Sequence, residues 1–179
     1  SINSSSGVLT FNSAPDFENL GSAASSNEYA IIVTATDGAT QVTQDITVNV
    51  TDVNDPATGL PTITTSGPGT LVAPLVGDTL TANIGTITDQ DGIQPGSYTY
   101  QWKRRDGALI NGKVNQTYKL EPTDGGNPIS VTVYFTDNSG NAESRTSIET
   151  GDVKEPNSPA TGSPTITPAT ALEGETLTA

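Results

Sequence analysis

The run Asp52-Val53-Asn54-Asp55, closed by Pro56, sets three oxygen-bearing side chains within a stretch of four residues. Carboxylate and amide oxygens are ligands for hard cations, and Ca²⁺ gathers about six to eight oxygens, several of them from carboxylates. The run closes a β-patterned segment, and the proline, with its fixed φ and missing N–H, stiffens what reads as a joint between two domains. Such a joint can collect oxygens from both of its sides. The chemistry predicted is cation binding at a junction rather than turnover of a substrate. The chain has no cysteine and no histidine, which removes thiolate and imidazole ligands together with the commonest general base. No Gly-rich phosphate loop and no nucleophile–base pair is visible. A glycosidase-like carboxylate pair has only the abundance of Asp and Glu behind it. The expectation is that the protein is not an enzyme.

Charge points the same way. The 179 residues carry 20 acidic and 7 basic side chains, a formal charge of −13. Counterion release onto DNA or RNA needs the opposite sign, which argues against a nucleic-acid partner. Every basic residue lies from Lys103 onward, so the first 55 positions hold carboxylates and no Lys or Arg to balance them. No apolar run is long enough to cross a bilayer as a helix, and no membrane insertion is expected of this segment.

The elements that must position these oxygens are strands. Thr, Ser, Gly and Val are abundant, and no stretch holds a 3.6-residue apolar period, so the pattern predicts short strands, turns and almost no helix. Before the joint, strands are predicted at 8–11, 28–36 and 44–51, too few for a whole sandwich. After it, Leu80, Ala82 and Ile84 share one face of a strand, and Tyr98, Tyr100 and Trp102 alternate on another that ends at the turn signal Asp106-Gly107. A further strand follows at 116–120. Ile129, Val131, Val133 and Phe135 point inward from the next, and 141–148 returns. The run at 56–64 recurs at 159–167, 103 positions later, about the length of one β-sandwich domain. Residues 77–82 likewise recur at 174–179. The predicted organisation is an incomplete sandwich over 1–55, a complete one over 56–155, and over 156–179 a linker with the first strands of a following unit.

Strand parity then predicts where the carboxylates meet. In a seven-stranded sandwich entered from the top, the loops after the second and sixth strands both return to the top, beside the incoming linker. Asp89 and Asp91 lie in the first of these loops and Asp137 in the second. Asp37, at the top of its own unit, is predicted to stay out of this site. The later run Gly151-Asp152-Val153-Lys154-Glu155-Pro156 echoes the first linker but brings a positive charge where Asn54 stood, so fewer ions or none are expected there.

Two resemblances cover nearly the whole chain. Residues 1–55 resemble the C-terminal part of a bacterial cadherin-like repeat, through Ser6-Gly7-Val8-Leu9-Thr10-Phe11, Asp16-Phe17-Glu18, Thr34-Ala35-Thr36-Asp37-Gly38 and Val50-Thr51-Asp52-Val53-Asn54-Asp55. The next unit resembles the immunoglobulin-like modules of giant bacterial surface proteins, including RTX adhesins. It does so through Gly77-Asp78-Thr79-Leu80-Thr81-Ala82, Asp89-Gln90-Asp91-Gly92, Tyr100-Gln101-Trp102, and Tyr134-Phe135-Thr136-Asp137 through Gly140-Asn141-Ala142-Glu143-Ser144. Disulfide cysteines and a corner tyrosine are absent, with Ile129 standing where that tyrosine would be. The resemblances imply an all-β chain of tandem immunoglobulin-like and cadherin-like Greek-key β-sandwiches, the first incomplete. They imply Ca²⁺ at the joint, held by Asp16, Glu18, Asp52, Asn54, Asp55, Asp89, Asp91 and Asp137. They further imply a calcium-stiffened stalk repeat of a secreted or surface-attached bacterial adhesin, whose partners are neighbouring repeats of the same polypeptide and, in one variant, homophilic or filament contacts. The rival expectations are a glycan- or protein-binding immunoglobulin-like module, and an S-layer or filament subunit.

Overall fold

A computed structural model describes residues 1–22, 25–162 and 172–174. Its regular elements are strands and two short 3-10 turns, and no α-helix occurs among the described residues. The chain is all-β and its strands form several antiparallel sheets. The recurrences at 159–167 and 174–179, and with them the expected start of a further unit, lie mostly outside the described residues.

Before the joint, β1 (Glu28–Thr36) and β2 (Gln41–Asn49) pair as an antiparallel hairpin, in register from Glu28↔Asn49 to Thr36↔Gln41. Their Ile, Val and Thr content suits a pleated surface. Asp37 builds the turn: its Oδ1 accepts the backbone N–H groups of Ala39 (2.9 Å) and Thr40 (2.7 Å), and Gly38 takes a φ of 94°. This tight turn carries pairing back to Gln41, so β2 starts before the predicted 44. The strand predicted at 8–11 is reduced to one bridge, Ile2↔Leu9. Asn3 Oδ1 accepts the N–H groups of Ser5 and Ser6, and Gly7 turns with a φ of 72°, which curls the first ten residues on themselves.

After the joint, two antiparallel sheets face each other. The first has the order β3 (Thr62–Ser66), β4 (Thr79–Asn83), β7 (Thr117–Lys119). The second runs β6 (Ala108–Leu109), β5 (Thr99–Arg104), β8 (Ile129–Thr136), β9 (Ala142–Thr146). Between them, Ile63, Leu80 and Tyr118 of the first sheet pack with Trp102, Ile129 and Val131 of the second in one buried cluster. Trp102 is fully buried, and its indole N–H donates to the Asn115 carbonyl at 2.9 Å, so its polar edge is satisfied inside the core. A second cluster of Ala57, Ile87, Val133 and Phe135 closes the joint end. Each fully buried side chain of this size is worth about 1.5–3 kcal/mol, which makes the sandwich the stable body beside a mostly exposed hairpin.

With no disulfide, a polar anchor ties the sandwich at its far end. Asp124 is fully buried and accepts hydrogen bonds from Tyr118 Oη (2.6 Å), Arg104 Nε (2.8 Å) and the Glu121 N–H (2.7 Å). Burial, and then the bond to Asp124, push the Tyr118 hydroxyl well above its ordinary range. Tyr118, from β7, thus supplies a buried hydroxyl anchor that the sequence pattern does not place at Ile129.

Candidate metal centre

The joint is built from four short segments, each shaped by its own turn chemistry. In the segment at 16–19, Asp16 Oδ1 accepts the N–H groups of Glu18 (3.1 Å) and Asn19 (3.0 Å), a local turn that carries Glu18. Asn27, just before β1, fastens this segment by donating from Nδ2 to the Phe17 carbonyl at 2.9 Å. The linker follows β2 directly and supplies Asp52, Asn54 and Asp55. The loop after β4 turns on Asp89, whose Oδ1 accepts the Asp91 N–H at 2.9 Å. It then needs Gly92, which has a φ of 75° and lies so close to Asn138 that a Cβ would stand 2.4 Å from Asn138 Nδ2. The loop after β8 turns on Asp137, whose two oxygens accept the backbone N–H (2.7 Å) and the side-chain amide (2.9 Å) of Asn141.

These two loops meet each other and the linker. Ile93 bridges to Asp137, the Asn138 N–H donates to the Gly92 carbonyl, and Thr58 bridges to Thr88. Two carboxylate triads result. Glu18, Asp52 and Asp91 bring one oxygen each to within 4.8 Å of one another, drawing on both sides of the joint. Asp89, Asp137 and Glu143 do the same within the sandwich. Of the remaining predicted ligands, Asp55 lines a groove with Thr88 and Asp89 and donates its N–H to Asp91 Oδ2 at 2.9 Å. Asn54 donates from Nδ2 to Glu143 Oε1 at 3.2 Å. Asp16 is exposed, shapes the turn, and stands outside both triads. Asp37 also stands outside them, at the far end of a hairpin whose eight steps at about 3.3 Å put it roughly 26 Å from the joint.

Glu143, on β9, lies in a motif that carries the resemblance but is not among the expected ligands. Its signal was available. The parity that returns Asp137 to the joint also starts the next strand there, and Glu143 is the first acidic side chain on it, paired with inward-facing Phe135.

The electrostatics are those of crowded like charges. Among the described residues the ion pairs are Arg104–Asp124, Arg105–Asp152 and Lys113–Glu121, and none reaches either triad. Burial holds Glu18 above the usual carboxylate range; its own backbone hydrogen bond opposes this, and the hydrogen bond to Asp91 with the charges of Asp91 and Asp52 adds to the rise. Burial likewise raises Asp89, with Glu143, Asp91 and Asp137 adding to the rise and the Asp91 N–H opposing it. At Asp137 burial is outweighed by hydrogen bonds from Asn141, Gly140 and Ser139, so that carboxyl stays below its ordinary value and ionised.

No protein-family model matches the chain, and neither characterised proteins nor solved structures yield a match. The site is therefore read from its own chemistry. Three of its oxygens, Asp52 Oδ1, Asp89 Oδ2 and Asp91 Oδ1, are buried with no hydrogen-bond partner. Buried carboxylate oxygens without donors are costly and call for a positive partner. Both triads offer oxygen alone, a donor set suited to hard cations and not to soft ones.

Proposed function

We propose that this chain is a calcium-stiffened extender: a piece of a long extracellular stalk, of the kind found in bacterial surface adhesins, in which Ca²⁺ locks a cadherin-like unit to an immunoglobulin-like one. The observation that carries this reading is the trio of buried, unpartnered carboxylate oxygens on Asp52, Asp89 and Asp91, gathered at a linker that no basic side chain neutralises. Calcium supplies the missing charge. Glu18, Asp52 and Asp91 would hold one ion across the joint, and Asp89, Asp137 and Glu143 a second beneath it. Asp55 and Asn54 lie within the same linker and complete the oxygen supply with backbone carbonyls.

The mechanism is mass action. An ion that binds only the ordered joint stabilises it by RT ln(1 + [L]/Kd), about 1.4 kcal/mol at ten times Kd. Extracellular calcium modules work at about 10⁻⁴–10⁻³ M, a range in which the ion is present outside cells and scarce inside them. Two such ions convert a swivelling connection into a largely stiff one. Small-angle scattering of the chain in millimolar calcium and then in chelator tests this. The maximum dimension is expected to become sharply defined in calcium, and an unchanged distance distribution overturns the proposal.

A second reading, contact with another copy of the chain in a filament, is favoured by one observation. The hairpin leaves Ile32 and Val42 about two-thirds exposed, at 68% and 66%, and an apolar groove runs beside it between Leu9, Phe11 and Ile31. Concentration-dependent sedimentation distinguishes it from a monomeric stalk segment.

A further inference from the structure

Glu143 touches the linker on two sides. Its Oε2 accepts the Ala57 N–H at 2.7 Å, and its Oε1 accepts from Asn54 Nδ2 at 3.2 Å. Those contacts flank Asp55-Pro56, the stiff middle of the joint. The same carboxylate belongs to the triad with Asp89 and Asp137, which lies wholly inside the sandwich. One side chain thus faces a candidate cation site in one direction and the backbone of the linker in the other. Asp137 in that triad is almost fully buried, and Asp89 Oδ2 is buried with no hydrogen-bond partner.

We infer that Glu143 is the positioning residue that couples cation occupancy inside the sandwich to the order of the linker, and through the linker to the triad that spans the joint. This rests on the calcium reading above. Each carboxylate oxygen has two lone-pair directions, so Glu143 can keep its linker hydrogen bonds while also facing a cation. Without the cation, its charge stands close to those of Asp89 and Asp137 and is pushed away from them. With the cation, that repulsion becomes attraction, the carboxylate is fixed, and Ala57 and Asn54 are fixed with it. Ala57 is itself buried in the core cluster at the joint end, so the restraint bears on rigid ground. Asp55, one residue after Asn54, and Asp52, two residues before it, are then presented to Asp91, whose Oδ2 already accepts the Asp55 N–H. Occupancy of the inner triad therefore pre-assembles the outer one, and by linkage the outer site strengthens the inner by the same factor.

The test uses the full chain and two variants, read by calcium calorimetry and by amide hydrogen exchange at Asp55 and Ala57. Glu143→Gln keeps an acceptor for the Ala57 N–H and can hold Asn54 only if that amide turns over, but it removes the charge that faces the cation. Asp89→Asn weakens the inner triad without touching either of those linker residues. In the wild type, calcium is expected to slow exchange at both amides by about tenfold or more. In Glu143→Gln that slowing falls below about twofold, and the affinity of the joint-spanning site drops although none of its three carboxylates has changed. In Asp89→Asn the slowing survives but needs more calcium. If Glu143→Gln speeds exchange equally with and without calcium, or Asp89→Asn leaves the calcium requirement unaltered, Glu143 is only a structural acceptor and the coupling is overturned. If the wild type takes up no calcium, the stalk reading itself falls. That outcome is distinct, because the effect of Glu143→Gln on Ala57 exchange in chelator would remain.

Discussion

The chain contains two closely related short phrases, and the two copies are handled in opposite ways. At the first, Asp52-Val53-Asn54-Asp55-Pro56, the valine is 78% exposed, Asp52 carries a buried oxygen with no hydrogen-bond partner, and none of the ion pairs among the described residues involves the run. At the second, Asp152-Val153-Lys154-Glu155-Pro156, the valine is 1% exposed and packed into the main core. There Asp152 accepts from Arg105 at 2.8 Å, and Lys154 is held by a parallel bridge to Leu75. Gly151 fits so tightly against Val72 that a Cβ would stand 1.9 Å from the Val72 carbonyl oxygen. One copy is a joint whose charge is left open, and the other is stitched into the sandwich and neutralised from within. A linker motif thus says little until the source of its compensating charge is known.

The sharpest way to break this contrast is to place the same substitution in both copies. Val153→Asp buries an unpaired carboxylate among Ile63, Trp102 and Tyr118, and is expected to cost several kcal/mol, roughly 4 or more, enough to prevent folding of the sandwich. Val53→Asp faces solvent and should stay within about 0.5 kcal/mol in chelator. Urea unfolding of the two variants measures the difference; equal losses would show that the second copy is not part of the core.

The second largest effect separates the aspartates in the presence of calcium. Asp52→Asn removes one charge from the joint-spanning triad, and the calcium needed for half-saturation should rise by about tenfold, equivalent to about 1.4 kcal/mol of binding. Asp152→Asn should leave the calcium titration unchanged, since Arg105 already neutralises that position. A matching shift in both variants would mean that the two copies share one role.

Much of this contrast could be read in the sequence, and the missing part has physical reasons. The strand pattern identified the inward faces of β4, β5 and β8 because alternation is strict where one face is buried, and Trp102 fell in the core as its spacing required. Lys154 marked the second copy as different. Its burial was not legible, because a single valine between charged residues carries no period. Asp89, Asp91 and Asp137 could be brought to the linker by strand parity alone. Glu143 was within reach of the same parity, as the first acidic residue on the strand that starts at the joint, but its contacts with the linker needed the register of β8 with β9. Asp16 shows the reverse limit: an Asp two positions before Glu18 fits a ligand pattern and a turn cap equally well, and here both N–H bonds of the turn fall on its Oδ1.

Proton uptake also sets the first copy apart from the second. Glu18 and Asp89 have raised values in the folded, cation-free protein, so the stability they contribute is fully present below their unfolded values and is lost as pH rises through the folded ones. Asp137 is lowered and works oppositely, contributing stability above its unfolded value that is lost as pH falls through the folded one. Calcium binds the ionised carboxylates, so protons compete with it at Glu18 and Asp89 as the pH falls toward their raised folded values. Lowering the pH from about 7.5 to about 5 is therefore expected to weaken calcium binding at the first copy by a few-fold, while thermal stability in chelator holds or rises. A calcium affinity that stays independent of pH down to the ordinary carboxylate range, about 4, would show that neither raised carboxylate is a ligand.

The smallest expected effect lies at the second copy and tests its neutralisation directly. Arg105 and Asp152 are both about half exposed, at 51% and 43% of their side chains, so their ion pair is screened by water and salt. Asp152→Asn should cost between about 0 and 1 kcal/mol in low salt and nearly nothing at molar salt. Arg105 also donates to the Gly126 carbonyl at 3.3 Å, which keeps the guanidinium anchored after its partner is lost. A loss well above that range, persisting in high salt, would show that the pair acts as a buried clamp. The second copy would then depend on its internal cation as strongly as the first is proposed to depend on calcium.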